Sequence, residues 1–461
     1  VRYLFTTLLS YESDFYGRAA AELVRRGHEV EFVTESGDSA QALRRRGLAA
    51  HELPVLARSV EPRDWGVEGT ALAARHDLPS IRDVYRVDPA CAGKPEAWCI
   101  ERTVRRFVAL ERILDDVQPD VIVPEVGRET IRVAAHLAGL ERGIPVLFLF
   151  YTIFPRPLRL YVDTMHAPIV PPEALRPLTP DEEAELDAFR REFTSRAEPI
   201  RAHRTMALDP RRLSSFAEFV GRKLGPDRDN EYFHPAALLG EEVAGLARAQ
   251  AARAVYTTRR PGRPFVYFPL HVVDDYKIER LVPHCRDQVS LAEQIAGALP
   301  PGYDLVVKEH PLSIGRNPLS LLRRLSRVGN VRIVHPHESS HELIEASDAV
   351  AVISSTVGLE ALLYEKPVLT LGQPFYSGYG VTLDVDSFAE LREAVPALLE
   401  FQPDRERTRR FLHAAMRACK PGAPVQVDNS QANAVALAAT LDEAGRSVVA
   451  ARRRPRARAA S

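Results

Sequence analysis

The chain has 461 residues, more than one hydrophobic core ordinarily holds, and its 45% hydrophobic and 27% charged composition argues against global disorder. Its formal net charge of −1 conceals an asymmetry, because six arginines and no acid follow from Arg446 onward, leaving −7 on everything before. A mildly acidic body lacks the basic stripes of a nucleic-acid-binding surface, so no nucleic-acid partner is expected.

Four cysteines, Cys91, Cys99, Cys285 and Cys419, have neither the spacing of a zinc site nor that of a disulfide framework. A reducing cytoplasm is the expected compartment. The longest apolar run, IPVLFLFYTIF, is interrupted by Pro145 and is too short to span a bilayer. Membrane contact is therefore expected only at the periphery of the cytoplasmic membrane, the arginine-rich end being a solvated tail or, as the alternative, a weak anchor to anionic head groups.

In chain order, the text opens as strand (VRYLFTTL), loop (LSYESDFY), helix (GRAAAELVRRG) and strand (HEVEFVTE), with Gly27 as the helix stop. RRFVALERILDDV reads as a helix before the strand DVIVPE, and ETIRVAAHLAGLERG as a helix before IPVLFLFY. From about Pro155 to Arg260 strands give way to charged helical text, including TPDEEAELDAFRREF capped by Thr179. The βα rhythm then restarts through RPFVYFPL, SLAEQIAGAL, YDLVVKEHP, NPLSLLRRLSR, NVRIVHP, SSHELIEAS with a Ser339–Glu342 capping box, DAVAVIS, STVGLEALLYE, KPVLTLG and FAELREAVPALLEF. The expected fold is α/β, with two Rossmann-like doubly wound domains facing a cleft and a helical insert between them. The expected boundaries are 1–154 for the first Rossmann-like domain, 155–260 for the insert, 261–443 for the second Rossmann-like domain and 444–461 for a basic disordered tail.

Ligands of open α/β sheets bind past the carboxyl ends of the strands, so the residues just after each strand of the second domain are the first candidates. Ser354, Ser355 and Thr356 follow DAVAV at the start of a helix, where hydroxyls, free N–H groups and the helix dipole suit a phosphate or carboxylate. Gly358 is expected to let a ligand approach the backbone, and Glu360, one turn in, to accept hydrogen bonds from ribose hydroxyls. Lys308, His310 and Pro311 follow the strand DLVV, where a lysine or histidine can neutralise a nucleotide phosphate. His271, Asp274 and Asp275 follow the first strand of the same domain.

Taken together, PLHVVDDYKI, KEHP, ISSTVGLEALLYEKPVLTLG and QPFYSGYGVT resemble the capsular polysaccharide synthesis family of glycosyltransferases, over about Phe265 to Thr382. PEVGRET and GIPVLFLFYTIFPRP resemble it more loosely. The family includes bacterial transferases of Kdo (3-deoxy-manno-octulosonic acid) that use CMP-activated donors. The resemblance implies a GT-B enzyme moving a sugar from a nucleotide-linked donor to a capsule, surface-glycan or lipid-linked acceptor. It places His310 and Pro311 on the nucleotide, and Ser354, Ser355 and Thr356 on phosphate or the donor carboxylate. Where family members commonly carry Gln after the Pro-Leu pair, this chain has His271. His-Pro and Ser-Ser pairs also serve CDP-alcohol phosphotransferases, and the fold serves non-hydrolysing sugar-nucleotide epimerases. Those two, and a non-catalytic scaffold of glycan assembly, stay open as alternatives.

Activating an acceptor hydroxyl requires a base, and a covalent intermediate requires a nucleophile. Glu125, directly after DVIVP, is the leading acid/base candidate, Asp163 the candidate nucleophile or second acid, and Glu12 with Asp14 the reserve pair. Arg128, Arg156 and Arg159 are candidates for binding an acidic substrate. No Asp-x-Asp motif follows a first-domain strand, so the expected chemistry uses no metal and no cofactor, with Lys308, His310 and the helix dipole neutralising the leaving nucleotide.

Overall fold

The computed structural model describes residues 1–195, 234–257 and 262–453, together with Gly221, Leu224, Asp227 and residues 230–232. The described residues fall into two compact units, one within Val1–Met165, Ser214–Pro235 and Cys419–Ser461, the other within His166–Leu213 and Ala236–Ala418.

In the first unit, β1 (Arg2–Thr7), β2 (Glu29–Thr34), β3 (Ala49–Glu52) and β4 (Val121–Pro124) form a parallel sheet in the order β3-β2-β1-β4. A parallel bridge from Ile122 to Val146 leads on to β5 (Leu147–Tyr151), which pairs antiparallel with β6 (Leu158–Val162). Central strands buried on both faces read as continuous apolar text, which is why LFTT of β1 and VIVP of β4 were visible as strands.

Three boundaries differ from expectation. LSYESDFY is not a loop: the helix begins at Ser10 and runs to Arg25, and the Glu12 carboxylate reaches back past the N-cap Leu9 to accept the Leu8 N–H at 2.7 Å, which ties the incoming chain to the first turn. Residues 158–162, assigned to a helical insert, are β6, whose hairpin with β5 keeps them in the first unit. Residues 444–453, assigned to a disordered tail, and residues 431–443, assigned to the second domain, form one helix, Gln431–Arg453, that belongs to the first unit. Its Ala434, Leu437, Ala438 and Leu441 are buried in the first unit's core, and Ala444, Val448 and Val449 pack against that core. Much of the expected insert, and the tail beyond Arg453, lie outside the described residues.

In the second unit, β7 (Phe265–Pro269), β8 (Asp304–Lys308), β9 (Val331–Val334), β10 (Ala349–Val352), β11 (Val368–Thr370) and β12 (Leu383–Asp384) form one parallel sheet in the order β12-β11-β10-β7-β8-β9. The chain moves outward from β7 through β8 to β9, then returns to the other side of β7 at β10. The reversal between β7 and β10 is the topological switch point of a doubly wound sheet, where strand ends diverge and leave a crevice. Helices Gln288–Ala298, Leu319–Ser326, Ser340–Ala346 and Thr356–Leu363 connect the strands, and Leu391–Glu400 follows the last of them. The helix Pro180–Ser195 is capped by Thr179 as expected, and Glu182 completes a capping box: Glu182 N–H donates to Thr179 Oγ1 at 3.4 Å, and Thr179 N–H to the Glu182 carboxylate at 2.9 Å.

Among the described residues no helix is long and apolar enough to cross a membrane. The four cysteines are buried and unpaired.

The C-terminal helix has a specific packing constraint. The Tyr3 hydroxyl donates to the Leu441 carbonyl at 2.7 Å, and a Cβ at Gly445 would overlap that hydroxyl. Gly445→Val is expected to overpack this contact and lower stability by about 1–3 kcal/mol, measured by urea unfolding, with Gly297→Val, where a Cβ meets open space, as the milder control.

Candidate active site

The carboxyl ends of β7, β8, β9 and β10 surround a cavity of about 280 Å³ at the switch point. Six of the candidates line it: Lys308, His310, Pro311, Ser355, Thr356 and Glu360. The loop and helix start after β9 add Pro336, His337, Glu338, Ser340 and His341, none of which the sequence analysis singles out. The same strand-end rule applied to NVRIVHP would have found them.

His310 follows β8 and its Nδ1 accepts the Leu312 N–H at 3.1 Å, capping the turn Pro311–Ser313. That acceptor role fixes the neutral tautomer with the proton on Nε2. Burial, with Lys308 and His271 nearby, pushes the His310 pKa down to about 4. His310 is thus a neutral donor at neutral pH, not the standing cation that the motif suggested.

Lys308 also differs from expectation. Its Nζ donates to the Glu338 carbonyl at 2.8 Å and to Ser340 Oγ at 2.6 Å, so two of its three N–H groups hold the loop after β9 in place. Burial lowers its pKa to about 8, opposed by the attraction of Glu360 and Glu338, and it stays mainly charged at neutral pH. Glu360 is buried, accepts from the Thr356 hydroxyl at 3.4 Å, and is pushed by burial up to about 7, with Lys308 and Thr356 pulling the other way. Between them, Glu309 is anchored by the Tyr256 hydroxyl and by Asn317 Nδ2 at 2.5 Å, which fixes the turn that carries His310.

Ser355 caps the helix Thr356–Leu363, its Oγ accepting the Val357 N–H at 3.2 Å. His271 and Ser354 stand behind the cavity instead of lining it. Ser354 N–H donates to His271 Nε2 at 3.2 Å, and His271 Nδ1 lies 3.3 Å from Asp275, which this contact and Lys277 hold down to about 2 against the opposing effect of burial. His271 therefore positions the serine loop. Asp274 pairs with Arg316 at 2.5 Å. Gly358 is explained by protein packing and not by a ligand: a Cβ there would overlap the Tyr376 hydroxyl, which donates to the Ser355 carbonyl at 2.5 Å.

In the first unit, Glu125 follows β4 and is buried beside Tyr16, whose hydroxyl donates to Oε2, while Oε1 has no hydrogen-bond partner among the described residues. Burial drives its pKa up to about 7, Arg132 opposing and Glu12 adding to the rise. Arg132 donates to Glu12 at 2.7 Å and pairs with Glu129 at 3.1 Å. These groups gather at the carboxyl ends of β1 and β4, the switch point of the first sheet.

Asp163 is elsewhere. It sits at the amino end of β5, where its own N–H donates to the Val146 carbonyl and its Oδ1 accepts the Val146 N–H at 2.9 Å, and its Oδ2 accepts from Arg452 at 3.2 Å. With φ at 64° it is a turn residue tying β6, β5 and the C-terminal helix together, which removes it as a nucleophile. Asp14 is exposed and paired with Arg18 and Arg46. Arg159 is buried against Phe150 and Tyr161 as a packing residue.

The Glu360 shift has a stability consequence. Because its folded pKa of about 7 lies above the ordinary 4.5, the favourable contribution is complete below pH 4.5 and is lost as pH rises through 7. Glu360→Gln, which keeps the neutral shape, is expected to gain on the wild type over that window, reaching roughly 2–4 kcal/mol at pH 8. Urea unfolding at pH 4.5 and pH 8 measures it.

Residues 226–414 match the family described as "Capsule polysaccharide biosynthesis protein". FixF of Sinorhizobium fredii is 32% identical over 150 residues, 32% of this chain and 36% of that protein. The capsule polysaccharide export protein KpsS of Escherichia coli is 32% identical over 111 residues, 23% of this chain and 27% of that protein. The chain thus spans about a third or less of the length of these curated relatives. Among solved structures, Thermosulfurimonas dismutans KpsC, described as a beta Kdo 2,4 transferase, is similar at a TM-score of 0.36 and 19% identity, covering 66% of this chain and 79% of that one. The doubly wound architecture rests on the strand orders themselves, and the cavity lies wholly within the family match. From 226 to 414, about two fifths of its length, the chain is similar to the capsule polysaccharide biosynthesis family that its strand-end motifs resemble.

Proposed function

We propose that the chain is a glycosyltransferase that takes a sugar from a nucleotide-activated donor, with the nucleotide held in the second unit's cavity, and passes it to a hydroxyl of a capsule, surface-glycan or lipid-linked acceptor. The observation that carries this reading is the convergence of His310 Nε2, the Ser355-capped helix start, Lys308 and Glu360 on one cavity at a switch point. A phosphate entering there meets a neutral imidazole donor, the positive end of a helix dipole and the remaining N–H of Lys308. Glu360 is a carboxyl acceptor for sugar hydroxyls.

The resemblance to Kdo transferases favours a CMP-linked 2-keto-3-deoxy acid as donor. The leaving nucleotide is stabilised by these fixed donors without a metal ion or other cofactor, so chelation of divalent cations leaves turnover unchanged. Glu125 serves as the acid/base group of the first unit: its pKa of about 7 matches a proton transfer at neutral pH, and its unpaired Oε1 is available to accept a proton. The four unpaired thiols suit a reducing compartment, which supports a cytoplasmic location with peripheral contact at the membrane where lipid-linked acceptors reside.

Thermal unfolding with saturating CMP, CDP, UDP or GDP tests the donor site. CMP is expected to stabilise the wild type by about 2–4 kcal/mol and His310→Ala by far less. Failure of all four nucleotides removes the donor site, and stabilisation by UDP alone removes the CMP assignment. For the acid/base role, Glu125→Gln is expected to lower turnover by about 10²–10⁴-fold with nucleotide binding intact. The wild-type rate, followed by sugar transfer to acceptor, is expected to rise with pH through about 7 as Glu125 ionises, and that inflection is expected to vanish in the variant. An unchanged rate in Glu125→Gln excludes it as the base.

A further inference from the structure

A second cavity of the same unit, about 190 Å³ in volume, is lined by Pro172, Leu175, Gly378, Tyr379, Gly380, Arg407 and Arg410. None of these residues lines the nucleotide cavity. Its walls are tied together by Tyr379. The Tyr379 hydroxyl donates to the Val170 carbonyl at 2.6 Å and accepts the Val170 N–H at 3.3 Å, while its ring packs at 4.5 Å on Phe411 of the helix Arg405–Ala418. The segment leading to Pro172, the glycine loop and the arginine helix are thereby held as one built pocket.

The charge in this pocket is one-sided. Arg407 and Arg410 stand at i and i+3 on one helix face, where like charges repel. The Arg407 guanidinium has no hydrogen-bond or ion-pair partner among the described residues and lies against Gly380, where a Cβ would come within 2.8 Å of Nη1. Arg410 spends one amino group on the exposed Glu406, but its Nε is buried with no hydrogen-bond partner among the described residues. By contrast, Arg409 of the same helix pairs with Asp187 at 2.6 Å. Gly378 and Gly380 both have positive φ, so the loop facing the arginines presents backbone where a side chain would fill the space. An unpaired buried guanidinium N–H, a second unpaired guanidinium and a small rigid pocket between them are complementary to a compact oxyanion. The volume is below that of ordinary drug-sized ligand sites, which restricts the ligand to a small group.

We propose that this pocket binds a phosphate group, held by Arg407 and Arg410, at a site separate from the nucleotide cavity. The group can belong to a soluble phosphorylated glycan or to the headgroup of an anionic lipid, and the test separates these sources.

The full chain is titrated with inorganic phosphate, against sodium chloride at matched ionic strength, and thermal unfolding is followed. A saturable stabilisation is expected, at least tenfold weaker in apparent affinity in Arg407→Glu, whose exposed side chain has no partner to lose, and in the double variant Arg407→Ala/Arg410→Ala. His310→Ala is expected to keep it. Loss of the phosphate effect in His310→Ala together with its retention in Arg407→Glu places the anion in the nucleotide cavity and overturns the proposal, as does the absence of any saturable effect. Co-sedimentation with phosphatidylglycerol vesicles that depends on Arg407 identifies the lipid source; phosphate binding without such co-sedimentation identifies the soluble one.

Discussion

Parallel strands all point the same way, so each hands its following loop to the same edge of the sheet, and the order in which they are laid down decides which loops become neighbours. In the second unit, β7 is central and the chain leaves it in one direction through β8 and β9 before returning at β10. Segments separated by scores of residues, around Leu270, His310, Ser340 and Thr356, are brought to one cavity by that reversal alone. The polar groups there are tolerated because each strand end is also a helix start, with backbone donors to share. Everything proposed about nucleotide binding depends on this convergence.

Desolvation then sets the character of the groups. Inside the cavity it makes His310 a neutral donor, weakens the basicity of Lys308 and makes Glu360 titrate near neutrality, three shifts from one cause. The lysine is not a loose counter-ion: it bonds the loop after β9, and its charge reaches the ligand through one remaining N–H. In the first unit the same effect acts on Glu125, where Arg132 is partly engaged by Glu12 and Glu129 and so does not restore an ordinary carboxylate. Around the second unit's site a shell of hydrogen bonds, from the Ser354 N–H to His271, from the Tyr376 hydroxyl to the Ser355 carbonyl and from Asn317 to Glu309, keeps the polar groups in position.

Strands buried on both faces announce themselves as apolar runs, and so β7, β8, β10 and β11 are legible, as is the serine-capped helix after β10, whereas the edge strand β9, VRIV with its half-buried Arg332, is legible from the βα rhythm around it. What could not be read was whatever depends on a distant partner. Gly358 has the form of a ligand-approach glycine, but the residue it accommodates, Tyr376, lies in a different loop. Asp163 looks acidic and accessible in its own segment, and only the pairing of β5 with β6 shows it to be a turn residue bound to Val146 and Arg452. The helix Gln431–Arg453 has an arginine-rich end that reads as a tail, although its apolar stripe closes the first unit's core. Local pattern located the strand ends; the fates of individual polar side chains there were tertiary matters.

The central claim is that a nucleotide phosphate rests between His310 and the helix that begins at Thr356. The most direct measurement is a crystal structure of the full chain with CMP. The account predicts phosphate oxygens within hydrogen-bond distance of His310 Nε2 and of the N–H groups at the start of that helix, with His310 Nδ1 still accepting from Leu312. A CMP molecule bound at any other place, or His310 turned away from the phosphate of one bound in the cavity, would contradict it.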